Sequence, residues 1–360
     1  MPKNKGRVVV AMSGGVDSSV AAGLLVEHGY EVLGITMRLW TVEDGEAARH
    51  HKRCCSVEDT DDARAAAEVL GIRHYVLNLE EEFASGVVDR FVREYSLGRT
   101  PNPCLACNEH VKFRPLLHHA LALDADYLAT GHYARVKRNG DTFELWRAAD
   151  RGKDQSYVLY TLGQAELGRT FFPLGEYEKP EVRAMAQCWG LPNADKPDSA
   201  DICFIPSGDY RAFVRERAAV PAGAIVDTSG RELGRHDGII DYTVGQRKRL
   251  PAQGGGEPLF VLGVDAVTNT VVVGPNEELM AAGLIAEELS FPSGRPPEGE
   301  VRVQARIRYR GEPAPALLFV QGEQAEVRFE RRQRAVTPGQ AVVFYDGERV
   351  LGGGTIVSRL

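Results

Sequence analysis

Apolar residues in the first two hundred positions fall either in short unbroken runs or at helical spacing. Val8 to Met12 is an unbroken run, which predicts a buried strand. Asp17 to Tyr30 carries Val20, Leu24, Leu25 and His28 at helical spacing, and Glu31 to Leu39 returns to a strand pattern. A helix is expected from Thr60 or Asp61, with Ala63, Ala66, Ala67 and Leu70 on one face, and then a strand from His74 to Leu79. Glu81 to Tyr95 and Glu109 to Leu123 read as helices, and Tyr127 to Arg135 as a strand. This alternation predicts an α/β doubly wound parallel sheet, with ligands at the carboxyl ends of its strands.

Past Ile205 the pattern changes. One helix is expected from Asp209 to Ala218, and then short alternating runs split by turn signals: Thr228-Ser229-Gly230, Asp237-Gly238, Thr268-Asn269 and Asp346-Gly347. Val301 to Tyr309 has period two, as have Ala325 to Phe329 and Ala341 to Tyr345. This half predicts a small β domain followed by a C-terminal β-barrel. The expected bounds are 1–205, 206–280 and 281–360, with Gly254-Gly255-Gly256 and Ser293 to Pro297 as loops or linkers.

A length of 360 residues agrees with two or three domains. No stretch approaches the ~18 apolar residues of a membrane span, and the apolar run after Arg7 is too brief for a signal-peptide core. A cytoplasmic protein with no membrane partner is expected. In that compartment the six cysteines predict buried thiols, metal ligands or redox-active groups, not structural disulfides. The net charge of −7 disfavours nucleic acid as a partner unless a local basic patch exists.

Ser13-Gly14-Gly15-Val16-Asp17-Ser18-Ser19 leaves a predicted strand and opens a predicted helix. Glycines there let backbone N–H groups close on an anion, and Asp17, Ser18 or Ser19 can cap a helix whose N-terminus favours phosphate. No lysine stands where a Walker A loop carries one, so this is no kinase or GTPase loop. Taken alone, the segment is also compatible with an ordinary turn. The run Ser13 to Ser18 resembles the signature of ATP pyrophosphatases, the PP-loop enzymes. That resemblance implies ATP as cofactor, with the pyrophosphate cradled while a substrate oxygen attacks the α-phosphate. Mg²⁺ is expected with the ATP, to neutralise the leaving pyrophosphate.

Two segments carry thiols. Asn102-Pro103-Cys104-Leu105-Ala106-Cys107 holds a C-x-x-C that leads into the helix from Glu109, and a helix start lowers a thiol's pKa. A metal reading needs two further ligands; Cys54-Cys55 could supply them only poorly, since adjacent residues seldom chelate one ion. No resident metal is expected. Cys203 follows Asp198-Ser199-Ala200-Asp201-Ile202, and by itself reads as a core thiol. Cys188, on a predicted helix from Glu181 to Trp189, also reads as core packing.

The whole set resembles the tRNA-specific 2-thiouridylase family over nearly the entire chain. The matching stretches are Ala11 to Ser18, Gly34 to Trp40, Thr100 to Phe113, Ala129 to Arg135, Lys153 to Tyr157, Lys196 to Ser199, Ile202 to Ile205 and Pro338 to Gln340. The resemblance implies ATP-dependent 2-thiolation of the wobble uridine of tRNA. ATP adenylates the C2 oxygen, and a persulfide on Cys203 attacks C2. Cys107 then forms a transient disulfide with Cys203, so their Cα atoms need to come within ~7 Å. A uridine carbonyl is a poor electrophile, so both activation and a strong sulfur nucleophile are needed. The sulfur comes from a partner, a sulfur-relay protein or cysteine desulfurase. The implied tRNAs read Lys, Glu and Gln codons.

By the same resemblance the nucleotide is held by Ala11, Met12, Ser13, Gly14, Gly15, Val16, Asp17, Ser18, Met37 and Gly131. The tRNA is held by Asn102, Pro103, Cys104, His132, Lys153, Asp154, Gln155, Arg308, Tyr309 and Gln340. Met37 alone would read as a core methionine, and Lys153 to Gln155 as a solvated loop. Where the family carries an Asp after Asn-Pro, a candidate general acid or base, this chain has Cys104. Either Cys104 shares that role or proton transfer happens elsewhere, for instance through solvent, and Cys104 could compete with Cys107 for Cys203. Arg302, Arg306, Arg308 and Arg310 have even spacing, which on one strand gives a basic stripe. The bland alternative is a solvent face paired with Glu300, Glu312, Glu326 and Glu330. Two rivals remain: an ATP pyrophosphatase acting on a small molecule, and a non-catalytic nucleotide- or RNA-binding protein.

Overall fold

In the computed structural model the described residues are 5–40, 57–198, 202–205, 208–251 and 257–360. Cys54, Cys55 and the Gly254 to Gly256 linker lie outside them. The amino-terminal part is built on a parallel sheet of β1 (Arg7–Ala11), β2 (Glu31–Arg38), β3 (Arg73–Asn78), β4 (Tyr127–Thr130) and, past a hairpin of β5 (Ala134–Asn139) and β6 (Thr142–Arg147), β7 (Thr170–Phe171). The order is β3-β2-β1-β4-β7. Val8, Val9 and Val10 are fully buried because β1 is central and helices cover both faces. The chain builds outward from β1 to β3, then returns to place β4 on the other side of β1. That reversal opens a crevice at the carboxyl ends of β1 and β4.

Two predicted helices differ in detail. The segment Glu80–Ser96 carries a π-helical turn at Ala84–Val88. The helix expected from Glu109 begins at Pro103 instead, and passes through a π turn at Asn108–Phe113 before Pro115–Ala122. The cause is local: the Asn102 side chain accepts from the Cys104 amide, and Pro103 occupies the first helical position. Cys104 therefore sits in the first turn and Cys107 in the last turn of the segment Pro103–Cys107, not at a helix start. The strand expected from Tyr127 to Arg135 breaks after Thr130, and Ala134 opens the hairpin. Cys188 is exposed, against expectation. Its helix, Lys179–Cys188, buries Val182 and Ala186, and two further residues turn Cys188 to the opposite face.

The second half is all β. Strands β8 (Gly223–Val226), β9 (Glu232–His236), β10 (Phe260–Asp265) and β11 (Thr270–Gly274) form a small sheet in the order β10-β11-β8-β9. Strands β12 (Met280–Ser290), β13 (Glu300–Arg306), β14 (Ala314–Gln321), β15 (Gln324–Arg334), β16 (Ala341–Asp346) and β17 (Arg349–Arg359) run β12-β15-β14-β13-β16-β17 and close through β12–β17 pairing. Leu284, Leu318, Val327, Val342, Phe344 and Ile356 fill this six-stranded barrel. The β5–β6 hairpin joins it at Arg349↔Trp146.

The predicted arginine stripe does not form. Strand β13 ends at Arg306, and Arg308 and Arg310 lie in the turn beyond it. Arg306 leaves the solvent face to reach Asp154, whose side chain is fully buried. Asp154 also pairs with Arg147 at 3.2 Å and accepts from the Ala148 and Ser156 amides. This buried carboxylate therefore ties the barrel to the amino-terminal part. Breaking a buried pair leaves uncompensated charge, so Asp154→Asn is expected to cost roughly 3–5 kcal/mol. Urea denaturation monitored on both halves checks this.

Candidate active site

A cleft of about 1080 Å³ opens at the carboxyl ends of the parallel strands. Its walls carry Ser13 to Ser18 except Gly14, Met37 from the end of β2, Gly131 and His132 after β4, Cys104 and Cys107, Lys153 to Gln155, Cys203, and Tyr309 from the barrel. Residues almost three hundred positions apart in sequence thus share one chamber. Cys107 belongs to the apolar core beneath it, and Cys203 packs against that core. The two are not joined to one another by a disulfide in this structure.

The glycine loop is shaped for close approach. Gly14 adopts φ +74°, and a Cβ there would stand 2.2 Å from the Asp59 carbonyl oxygen. A Cβ on Gly131 would stand 2.7 Å from the Ser18 amide nitrogen, so this glycine lets the β4 end abut the helix start. The Ser18 hydroxyl donates to the Gly15 carbonyl and accepts from the Ser13 amide, fixing the loop. The Gly14 carbonyl accepts from Asn193 at 3.0 Å and Lys196 at 3.3 Å. The amino end of the helix Val16–Glu27 faces the cleft with Asp17 in its first turn. This is an anion-binding arrangement.

Basic side chains surround the loop and are neutralised by carboxylates. Lys179 bonds both oxygens of Asp17 at 2.7 Å, and the Tyr133 hydroxyl donates to the same carboxylate at 2.8 Å. Burial and the Asp17 charge raise the Tyr133 pKa, so the phenol stays protonated. Asp198 accepts from Lys153 at 2.6 Å and pairs with Lys179 at 2.8 Å. Burial works upward on Asp198, but the hydrogen bonds from Lys153 and Lys179 hold it down at about 2. Lys196 pairs with Asp59 and Asp62, each at 2.6 Å. His132, bonded to the Thr130 hydroxyl, lies well below the ordinary histidine range because of burial first and Lys112 second. It is neutral at physiological pH.

The structure separates the predicted residues into groups. Met12, just past β1, is wholly buried and Gly14 shapes the loop from behind, so neither lines the cleft. Asn102 caps the Cys104 helix and borders a neighbouring cavity of about 350 Å³. Gln340 donates to the Thr100 carbonyl at 2.6 Å, linking barrel and amino-terminal part. Gln155 accepts from the Tyr133 amide. Arg308 donates to the Arg334 carbonyl outside the cleft. Arg306, by contrast, donates to the carbonyls of Tyr309 and Gly311 and so holds the turn that brings Tyr309 to the cleft. Tyr309 and Cys104 line the same cleft, and burial first and Cys104 second raise the Tyr309 phenol above its ordinary range.

Lys179 and Asn193 were missed by sequence reasoning, and Tyr133, Lys196 and Asp198 were noticed only as part of motifs. Lys179 and Asn193 reach the glycine loop from positions over 150 residues away, so no local spacing betrays them.

Comparison with known proteins covers almost the whole chain. The family model described as the tRNA methyl transferase HUP domain matches residues 6–207. A tRNA methyl transferase PRC-barrel domain matches 211–275, and an aminomethyltransferase beta-barrel domain matches 281–356. The tRNA-specific 2-thiouridylase MnmA of Geobacter metallireducens is 51% identical over 360 residues, spanning 98% of this chain and 97% of that protein. The protein of the same name from Roseiflexus castenholzii is 48% identical, over 97% and 99%. Among solved structures, a 4-thiouridine synthetase–RNA complex with bound ATP is similar at 18% identity and TM-score 0.35, over 59% of this chain and 50% of that one. With half of all positions shared end to end, this chain belongs to the tRNA-specific 2-thiouridylase family of enzymes.

Proposed function

We propose that this enzyme 2-thiolates the wobble uridine of tRNA by adenylation followed by persulfide transfer from Cys203. One observation carries the reading: the glycine-loop cradle and the thiols Cys107 and Cys203 face one cleft. The loop of Ser13 to Ser18 would hold the phosphates of ATP, with Lys196 and Lys179 turning from carboxylates to phosphate, and Mg²⁺ would neutralise the leaving pyrophosphate. Ala11, Met37 and Gly131 border the rest of the nucleotide. Among the described residues no three His, Cys, Asp or Glu side chains cluster as a resident metal site.

The uridine O2 attacks the α-phosphorus, forming the O2–P bond as the bond to pyrophosphate breaks. The terminal sulfur of the Cys203 persulfide then attacks C2 and AMP leaves with the O2 atom. Cys107 attacks the Cys203 sulfur, forming a Cys107–Cys203 disulfide. The electron pair of the broken S–S bond passes to the new 2-thio sulfur. A thiol reductant resets the pair, and a sulfur-relay protein or cysteine desulfurase reloads Cys203. His132, being neutral, serves to position the base by hydrogen bonding, with no charge of its own. Cys104 takes the place beside Tyr309 at the base pocket, and Lys153 offers the tRNA backbone its ammonium. Pro103, Asp154, Gln155 and Gln340 support that surface indirectly.

We read the bounds as 1–205, 206–280 and 281–360, with the last domain meeting the tRNA through Arg308 and Tyr309, and place the reaction in the cytoplasm. Among the described residues no helix is long and apolar enough to cross a membrane. The test is mass spectrometry of nucleosides from wobble-uridine tRNAs for Lys, Glu and Gln, incubated with enzyme, ATP and a persulfide donor. A 2-thiouridine derivative that depends on ATP is expected. Its absence with all three tRNAs would overturn the reading.

A further inference from the structure

Two basic segments outside the cleft lie on adjoining elements, the loop at Gly245 touching the chain just past β15. The first is the loop Gly245 to Leu250 of the central domain, which carries Arg247, Lys248 and Arg249, all exposed. Its backbone is held in an unusual shape. Gly245 has φ +88° and Arg249 has φ +66°, a left-handed conformation that a non-glycine residue adopts at a cost. The Gln246 amide ties the loop by donating to the Asp241 and Lys248 carbonyls, at 3.1 and 3.0 Å. The Tyr242 hydroxyl donates to the Arg249 carbonyl at 3.1 Å. The backbone is thus fixed while Arg247 and Lys248 project outward.

The second segment is the end of β15. Pairing with β12 jumps from Gly283↔Arg328 to Ala281↔Gln333, so residues 329–332 form a bulge. Bulges redirect side chains out of a sheet. This one carries exposed Arg331 and Arg332, with Glu330 as the only acid between Arg328 and Arg334. Among the described residues the side chains of Arg247, Lys248, Arg331 and Arg332 have no ion-pair partner.

Contacts join the two segments to the cleft. A Cβ on Gly245 would stand 2.9 Å from the Ala335 Cβ and 3.6 Å from Arg334 Nη1. Arg308 donates to the Arg334 carbonyl, and the next residue, Tyr309, lines the cleft. A cationic path therefore leads from the cleft over the barrel to the central domain, on a chain of net charge −7. Exposed cations without an acidic partner, carried by two adjoining elements of an acidic protein, fit a phosphate backbone.

We propose that Arg247 and Lys248, with Arg331 and Arg332, bind backbone phosphates of the tRNA body, away from the base that enters the cleft. This rests on the tRNA reading above. The test compares Arg247→Ala/Lys248→Ala with wild type by fluorescence anisotropy, using full-length tRNA and its isolated anticodon stem–loop over a salt series. For full-length tRNA, Kd is expected to rise roughly tenfold, and the slope of log Kd against log salt to fall by about two. Stem–loop binding is expected to stay unchanged. Arg331→Ala/Arg332→Ala, on a separate element, should give the same signature. An unchanged Kd and salt slope for full-length tRNA overturns the proposal, as does equal weakening of stem–loop and full-length binding. Intact RNA affinity with lost persulfide loading would reassign the face to the sulfur-delivering protein and also overturn it. Wild-type enzyme that binds neither RNA would instead refute the function itself.

Discussion

Replacing Cys203 with Ser is expected to lower tRNA thiolation by roughly a thousandfold or more, because a hydroxyl cannot carry the transferable sulfur. Pyrophosphate release in a single turnover with ATP and tRNA is expected to continue at close to the wild-type rate. The glycine loop, Lys179 and Lys196 sit on elements independent of the Cys203 side chain. The two readouts therefore separate activation from sulfur delivery. A small-molecule PP-loop enzyme or a non-catalytic binder would show no such split. Thiolation at a normal rate in the variant would remove Cys203 from the mechanism.

Gly14→Ala is expected to cut pyrophosphate release by roughly a hundredfold. Two effects add. A left-handed conformation costs a residue other than glycine about 1 kcal/mol. The new Cβ also meets the Asp59 carbonyl oxygen at 2.2 Å, so the loop must part from the helix Val57–Val69 or lose its shape. A shifted loop misaims its N–H groups, and such positioning is where this chemistry gains most. Gly71→Ala supplies the control. Gly71 has φ +67°, and a Cβ added there would have nothing within 4 Å, so only the backbone effect operates. Its activity is expected to stay near wild type. Equal losses in the two variants would show a general cost of placing alanine at positive φ and would remove the Asp59 contact as the cause.

Periodicity alone was enough to reveal the parallel sheet and the all-β second half. Runs such as Val8 to Val10 are buried throughout and alternations such as Ala325 to Phe329 bury every second residue, whereas Ala341 to Tyr345, expected to alternate, is buried at all five positions. The glycine loop was equally legible, because the backbone conformation it needs restricts the residue types locally. Helix punctuation was harder to read. Asn102-Pro103 is a start signal that precedes the expected helix start at Glu109, and the π turn at Asn108–Phe113 lies against the π turn at Ala84–Val88, a long-range contact that local spacing does not reveal.

Sequence by itself thus determined the fold class, the anion cradle and the two thiol segments, since each depends on neighbours within a few positions. Tertiary structure alone decided the partners of charge. Asp154 looked like a solvated contact residue and is a buried clamp for Arg147 and Arg306. The even row of arginines looked like one face and is split at Arg306 by that same carboxylate. Lys179 showed no local sign of reaching Asp17. Burial strengthens an ion pair and penalises a lone charge. Which charges become buried depends on how separate domains close on one another, and residue spacing along the chain does not encode that.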